Sequence, residues 1–176
     1  MKNKEKIESL FKEILELLED SSGTGSFDES MQDTPERVAK MWGNELLKGY
    51  HMHPQELIKL FPNTSKNPEE IEIGNIPFYS MCEHHMMPFF GRMTIKYIPG
   101  NFVLGLSKIP RVVEAYARRF QLQERLGQQI ADAIVKYGKA RSVEVIIEAE
   151  HTCMTARGIQ AIGSMTKTRS TAYATK

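Results

Sequence analysis

Ile7, Leu10, Phe11, Ile14, Leu15 and Leu18 recur at three- and four-residue steps with Lys and Glu between them, so the chain begins with an amphipathic helix. Ser21 to Gln32, rich in Ser, Gly and Asp, reads as a loop. A second helix is predicted from Thr34-Pro35. Thr34 can cap it, Pro35 suits the first helical position, and Val38, Met41, Trp42 and Leu46 build an apolar stripe up to Gly49. From Glu69 the period changes to two. Met93, Ile95 and Tyr97 alternate with Arg92, Thr94 and Lys96, Pro99-Gly100-Asn101 offers a turn, and Val103 to Leu106 resumes as a strand, which predicts a hairpin. Two helical stretches follow, Pro110 to Phe120 and Gln123 to Tyr137. A strand from Ser142 to Glu150 then carries Val143, Val145, Ile147 and Ala149 on one face, and a last polar strand is predicted from Ile159 towards Thr171. The order strand, strand, helix, helix, strand, strand (ββααββ) predicts an α+β fold with an antiparallel sheet, preceded by N-terminal helices. We divide the chain into an N-terminal helical segment, 1–65, and a sheet-bearing domain, 66–176, as parts of one structural unit.

Charge narrows the partners. Lys and Arg number 23 against 22 Asp and Glu, so no global field draws the chain onto nucleic acid or an anionic membrane, and an anion site must be local. The start, Met1 to Lys6, runs into a charged amphipathic segment without an apolar core, and no stretch approaches the roughly 20 apolar residues of a membrane span. The expectation is a cytoplasmic protein with no nucleic-acid or membrane partner.

The most specific chemistry lies in two short clusters, Cys82-Glu83-His84-His85 and His151-Thr152-Cys153, which contain both cysteines and three of the five histidines. Cys82 and His85, at i and i+3, fit one turn around a small cation, and Cys153 supplies a third ligand of the kind zinc favours. Three protein ligands are the pattern of a catalytic zinc site, which keeps one position open. His84 and His151 then remain beside the metal as proton-transfer candidates, their ordinary pKa of about 6.5 being close to neutral pH. Two plainer readings compete: buried thiols with scattered histidines, or a Cys82–Cys153 disulfide, a bond that is rare in the cytosol. Both clusters are predicted at strand ends.

Anion chemistry is the second theme. Ser107, Lys108 and Arg111 lie where a strand passes into a helix, whose free N–H groups add positive charge, and Arg157 stands four residues past Cys153. Solvated surface charge is the alternative for these cations. Glu124 opens a helix, where a carboxylate is favoured in any case; it is also able to accept two hydrogen bonds from a guanine edge.

Taken together, Ser80 to His85, Pro88-Phe89-Phe90-Gly91, Gly105-Leu106-Ser107-Lys108, Arg118-Arg119, Gln123-Glu124-Arg125-Leu126, His151-Thr152-Cys153-Met154 and Arg157-Gly158 resemble GTP cyclohydrolase I in order and spacing. With Asp33 to Ala39 upstream, the resemblance extends from Thr34 to Thr168. It implies a tunnelling fold assembled as an oligomeric barrel, a decamer of two pentameric rings with active sites between subunits. It implies zinc on Cys82, His85 and Cys153, and GTP as substrate. Water activated at zinc attacks C8 of the purine, formate leaves, and the ribose is rearranged to give 7,8-dihydroneopterin triphosphate. In this scheme His84 and His151 move protons, Gln123 and Glu124 hold guanine, and Ser107, Lys108, Arg111 and Arg157 hold the triphosphate. The chain departs from the family pattern at Phe27 to Gln32 and at Ser164 to Arg169. A catalytically silent relative that binds GTP or zinc in a regulatory or assembly role is the competing function. Another purine nucleotide is a further alternative, against which Glu124 speaks because adenine lacks the two adjacent donors.

Overall fold

A computed structural model describes residues 3–22, 29–67 and 69–175. The chain falls into two units, Met1–Lys48 and Gly49–Lys176. In the first, α1 (Lys4–Ser22) takes in Ser21 and Ser22, which composition had assigned to the loop; residues 29–31 of that loop form a 3-10 turn, and 23–28 lie outside the described residues. Asp33, not Thr34, occupies the N-cap position of α2 (Thr34–Met41), and its carboxylate pairs with Arg37 at 3.0 Å. The apolar stripe continues beyond α2 through a widened π-turn, Trp42–Leu46, at the poor helix formers Gly43 and Asn44. Phe11 and Trp42 meet at 5.9 Å between ring centres.

The second unit begins with α3 (Pro54–Leu57) and β1 (Leu60–Pro62), followed by β2 (Ile71–Cys82), β3 (Pro88–Pro99) and β4 (Phe102–Leu104). It continues with α4 (Ile109–Ala117), β5 (Phe120–Gln121), α5 (Gln123–Gly138), β6 (Ala140–His151), α6 (Thr152–Thr155) and β7 (Thr166–Tyr173). The main sheet has the order β5-β2-β3-β6-β7 and is antiparallel, apart from the two-residue parallel pairing of β5 with the end of β2. The α+β class and antiparallel sheet expected from the pattern are present.

The expected hairpin between Met93–Tyr97 and Val103–Leu106 is not. β3 has β2 on one edge and β6 on the other, whereas β4 pairs with β1 in a separate two-stranded sheet. Twelve-residue partners on both edges of β3 leave no ladder for a three-residue strand. The actual hairpin is β2–β3. Its first strand escapes the alternation test because Gly74 and Asn75 form a bulge between Ile73 and Ile76, with Asn75 at φ +60°. The last strand is also shorter than predicted: 158–163 turn through three positive-φ residues, Gly158, Gln160 and Gly163, before β7 starts at Thr166.

Period-two alternation sorts the faces of this sheet. Met93, Ile95 and Tyr97 of β3 and Val143, Val145 and Ile147 of β6 are buried with Leu126, Ile130 and Ile134 of α5 and Ile109 and Val113 of α4. The other face is ionic, with Lys96–Glu72, Lys167–Glu148 and Arg169–Glu144 at 3.1, 2.6 and 3.1 Å. Register brings the two chemical clusters to one end of the sheet. Met81 pairs with Pro88, and Phe89, next along β3, pairs with His151, so the last residues of β2 and β6 flank the start of β3.

A candidate metal centre at the sheet end

Cys82 closes β2, and the chain reverses tightly behind it. Its N–H donates to Met87 O at 2.8 Å and its carbonyl accepts from Met86 N–H at 2.9 Å, with Met86 held at φ +55°. This reversal brings His85 Nδ1 to 3.7 Å from Cys82 Sγ. Cys153, on the short α6 that follows β6, places its Sγ 4.0 Å from Cys82 Sγ. The ligand atoms of Cys82, His85 and Cys153 all lie within 4.8 Å of one another. A tetrahedral zinc, with Zn–S about 2.3 Å and Zn–N about 2.0 Å, sets two sulfurs about 3.8 Å apart and sulfur and nitrogen about 3.5 Å apart. The three side chains therefore fit such an ion within a few tenths of an ångström at the two measured pairs. Both cysteines are free thiols, so the disulfide alternative is not realised.

Burial pushes the Cys153 thiol up, and so do the charge of Cys82 and the hydrogen bond with it, while Arg157 draws it down. Two thiolates this close repel unless a cation sits between them.

Of the two further histidines, His84 is exposed on the turn, its ring edge-on to His85 at 6.2 Å. His151 is half-buried, stacked on Phe89 at 4.6 Å with the rings within 6° of parallel. Burial lowers its pKa, against which the Glu124 carboxylate acts. Glu124 itself is exposed on the first turn of α5.

The Gln123 side chain does not face an open pocket. It is 1% exposed, its amide nitrogen donates to Ile147 O, Thr166 O and Thr168 Oγ1 at 3.0–3.2 Å, and its Oε1 lies 2.7 Å from His151 Nε2. Its amide is committed to the sheet and to His151, a contact that nothing in the sequence announces. The ion pair between Glu83 and Arg125 joins two of the sequence motifs, and nothing in the sequence announces that pairing either.

The cations separate into two groups. Arg157 acts electrostatically on Cys153. Ser107 and Lys108 belong to the 3-10 turn before α4, and Arg111 lies in the first turn of α4. Arg111 opens onto a groove of about 570 Å³ between α4 and β2, lined also by Pro77, Tyr79, Glu114 and Arg118. Among the described residues, no hydrogen bond or ion pair joins Ser107, Lys108 or Arg111 to the thiol–imidazole cluster.

The family model for GTP cyclohydrolase I matches residues 7–176. GTP cyclohydrolase 1 of Clostridium kluyveri is 45% identical over 165 residues, covering 93% of this chain and 88% of that protein. That of Carboxydothermus hydrogenoformans is 47% identical over 169 residues, covering 96% and 85%, and that of Chlorobaculum tepidum 51% over 135 residues, covering 77% and 60%. Among solved structures, the apo form of the archaeosine synthase QueF-Like superposes with a TM-score of 0.51 at 17% identity. That match covers 63% of this chain and all of the other, a likeness of fold alone.

Proposed function

Because this chain belongs to the GTP cyclohydrolase I family, we propose that it converts GTP and water to formate and 7,8-dihydroneopterin triphosphate at a zinc ion held by Cys82, His85 and Cys153. The observation that carries the reading is the convergence of three ligand atoms within 4.8 Å beside two imidazoles that are not part of the ligand set. Bound there, zinc supplies a Lewis acid that makes a hydroxide-like nucleophile available at neutral pH for attack on C8.

The chain's own groups do the rest. His84, free on its turn, and His151, fixed between Phe89 and Gln123, are the proton carriers for the purine nitrogens as the imidazole ring opens and formate departs. Glu124, exposed at the start of α5, accepts the two adjacent donors of the guanine edge; Gln123 joins this subsite by its position, while its side chain braces His151. Ser107, Lys108, Arg111 and Arg157 bind the triphosphate, so that attraction on a nonreacting tail holds C8 at the metal.

The assembly is part of the proposal. The outer edge of β7 and most of that of β2 carry no strand partner among the described residues, since β5 covers β2 only at Met81 and Cys82. Unpaired edges of this length invite strand addition. Ile159 and Ile162 are 81% and 86% exposed. A tunnelling-fold barrel, two pentameric rings forming a decamer, pairs such edges, and sites shared between subunits account for a phosphate cluster not joined to the metal cluster within one chain.

Incubation of the purified, zinc-loaded protein with GTP and, separately, with ATP tests the reading. Formate from GTP and none from ATP is expected. No formate from GTP at full zinc occupancy overturns it.

A further inference from the structure

The turn that carries His85 is the exposed part of the metal centre. Residues 83–87 leave the sheet between β2 and β3, and His84, His85 and Met86 are exposed. A side-chain tether crosses from this turn to the helical layer: the Glu83 carboxylate is bound by the Arg125 guanidinium. Arg125 is itself anchored, its Nε donating to Gln121 Oε1 and its Nη2 to Phe120 O, both at 3.1 Å. Gln121 is 2% exposed and donates to Tyr116 O and Gln129 Oε1, each at 2.9 Å. Glu83 N–H adds a bond to Gln121 O at 3.2 Å. Two residues before Arg125, Gln123 holds His151, close to the third ligand, Cys153. The first turn of α5 therefore grips both banks of the centre.

We propose that Glu83 and Arg125 are positioning residues for the metal centre: their ion pair fixes the 83–87 turn so that His85 Nδ1 stays within reach of the two thiols before an ion arrives. Glu83 does not belong to the ligand set, and its charge is answered by Arg125. Its carboxylate is part-exposed, and such pairs contribute little to global stability. Its effect is on placement, because ligands held in register do not have to be ordered by the ion. The inference rests on the zinc assignment to Cys82, His85 and Cys153.

Glu83→Gln, Arg125→Met and the double variant test it. Zinc affinity is measured by competition with a colorimetric chelator, and thermal melting is followed on the metal-free proteins. Each single variant is expected to lose about tenfold in zinc affinity, the scale typical of groups supporting a ligand shell. The double variant should lose no more than either single one, since both remove the same contact. Metal-free melting should barely move. Unchanged affinity in both single variants, with the unaltered protein binding one zinc, overturns the inference and leaves the zinc assignment standing. Losses that multiply in the double variant overturn it too, as does a fall in metal-free melting that accompanies the loss of zinc. Absence of zinc binding by the unaltered protein overturns the zinc assignment and this inference with it.

Discussion

At the residue scale, the two thiols 4.0 Å apart set the terms, because burial and then the neighbouring Cys82 push the Cys153 thiol up, and a bound cation opposes both. Cys82→Ser and Cys153→Ser should therefore each abolish both stoichiometric zinc and turnover; one equivalent of zinc retained in either, by metal analysis, removes that residue from the ligand set. His84→Ala and His151→Ala should keep zinc while product formation collapses. A variant of either that turns over normally has lost its claim to a proton-transfer role. Glu124→Gln replaces one acceptor with a donor facing a donor. Charge-assisted hydrogen bonds contribute about 1.5–3 kcal/mol each, so GTP affinity by calorimetry should fall at least about tenfold. Unaltered GTP binding with a lower melting temperature would make Glu124 a helix-end charge only. The convergence of Cys82, His85 and Cys153 into a group able to hold a metal was legible in the sequence, because cysteine and histidine are scarce and clustered there. The bracing of His151 by Gln123 was not, since it depends on Thr166 and Thr168 of β7 arriving beside α5.

At the element scale, helices and the apolar alternation of β3 and β6 were readable from period alone, and strand pairing was not. Periodicity identifies a face but not a neighbour. Pro99-Gly100-Asn101 carries the chemistry of a turn, yet the strand after it crosses to β1, where Leu60 pairs with Leu104. Gly91 shows what the true pairing demands. A Cβ there would lie 1.9 Å from Glu148 O and 2.7 Å from Ala149 Cα on β6, so β3 and β6 approach too closely for any side chain. Gly91→Ala should destabilise the fold by about 1–3 kcal/mol, the usual scale of overpacking, in denaturant unfolding. An unchanged midpoint would mean that the two strands part without penalty.

At the scale of the whole molecule, the proposed assembly rests on the family resemblance, because no local pattern specifies which edges of a sheet meet in another copy. Sedimentation should give a particle close to ten times the chain mass of 20.1 kDa. A monomer active at the same concentration would remove the shared-site account of Ser107, Lys108 and Arg111. Among the described residues, no helix is long and apolar enough to cross a membrane. The proposed reaction is defined by the fate of one carbon atom, C8 of the purine. GTP labelled with carbon-13 at C8 and incubated with zinc-loaded protein should deliver its label as formate, one per GTP consumed, with the three phosphates retained on the product. Stripping the metal should stop the reaction, and returning zinc should restore it. Label retained in an intact purine, or phosphate released in its place, would contradict the account.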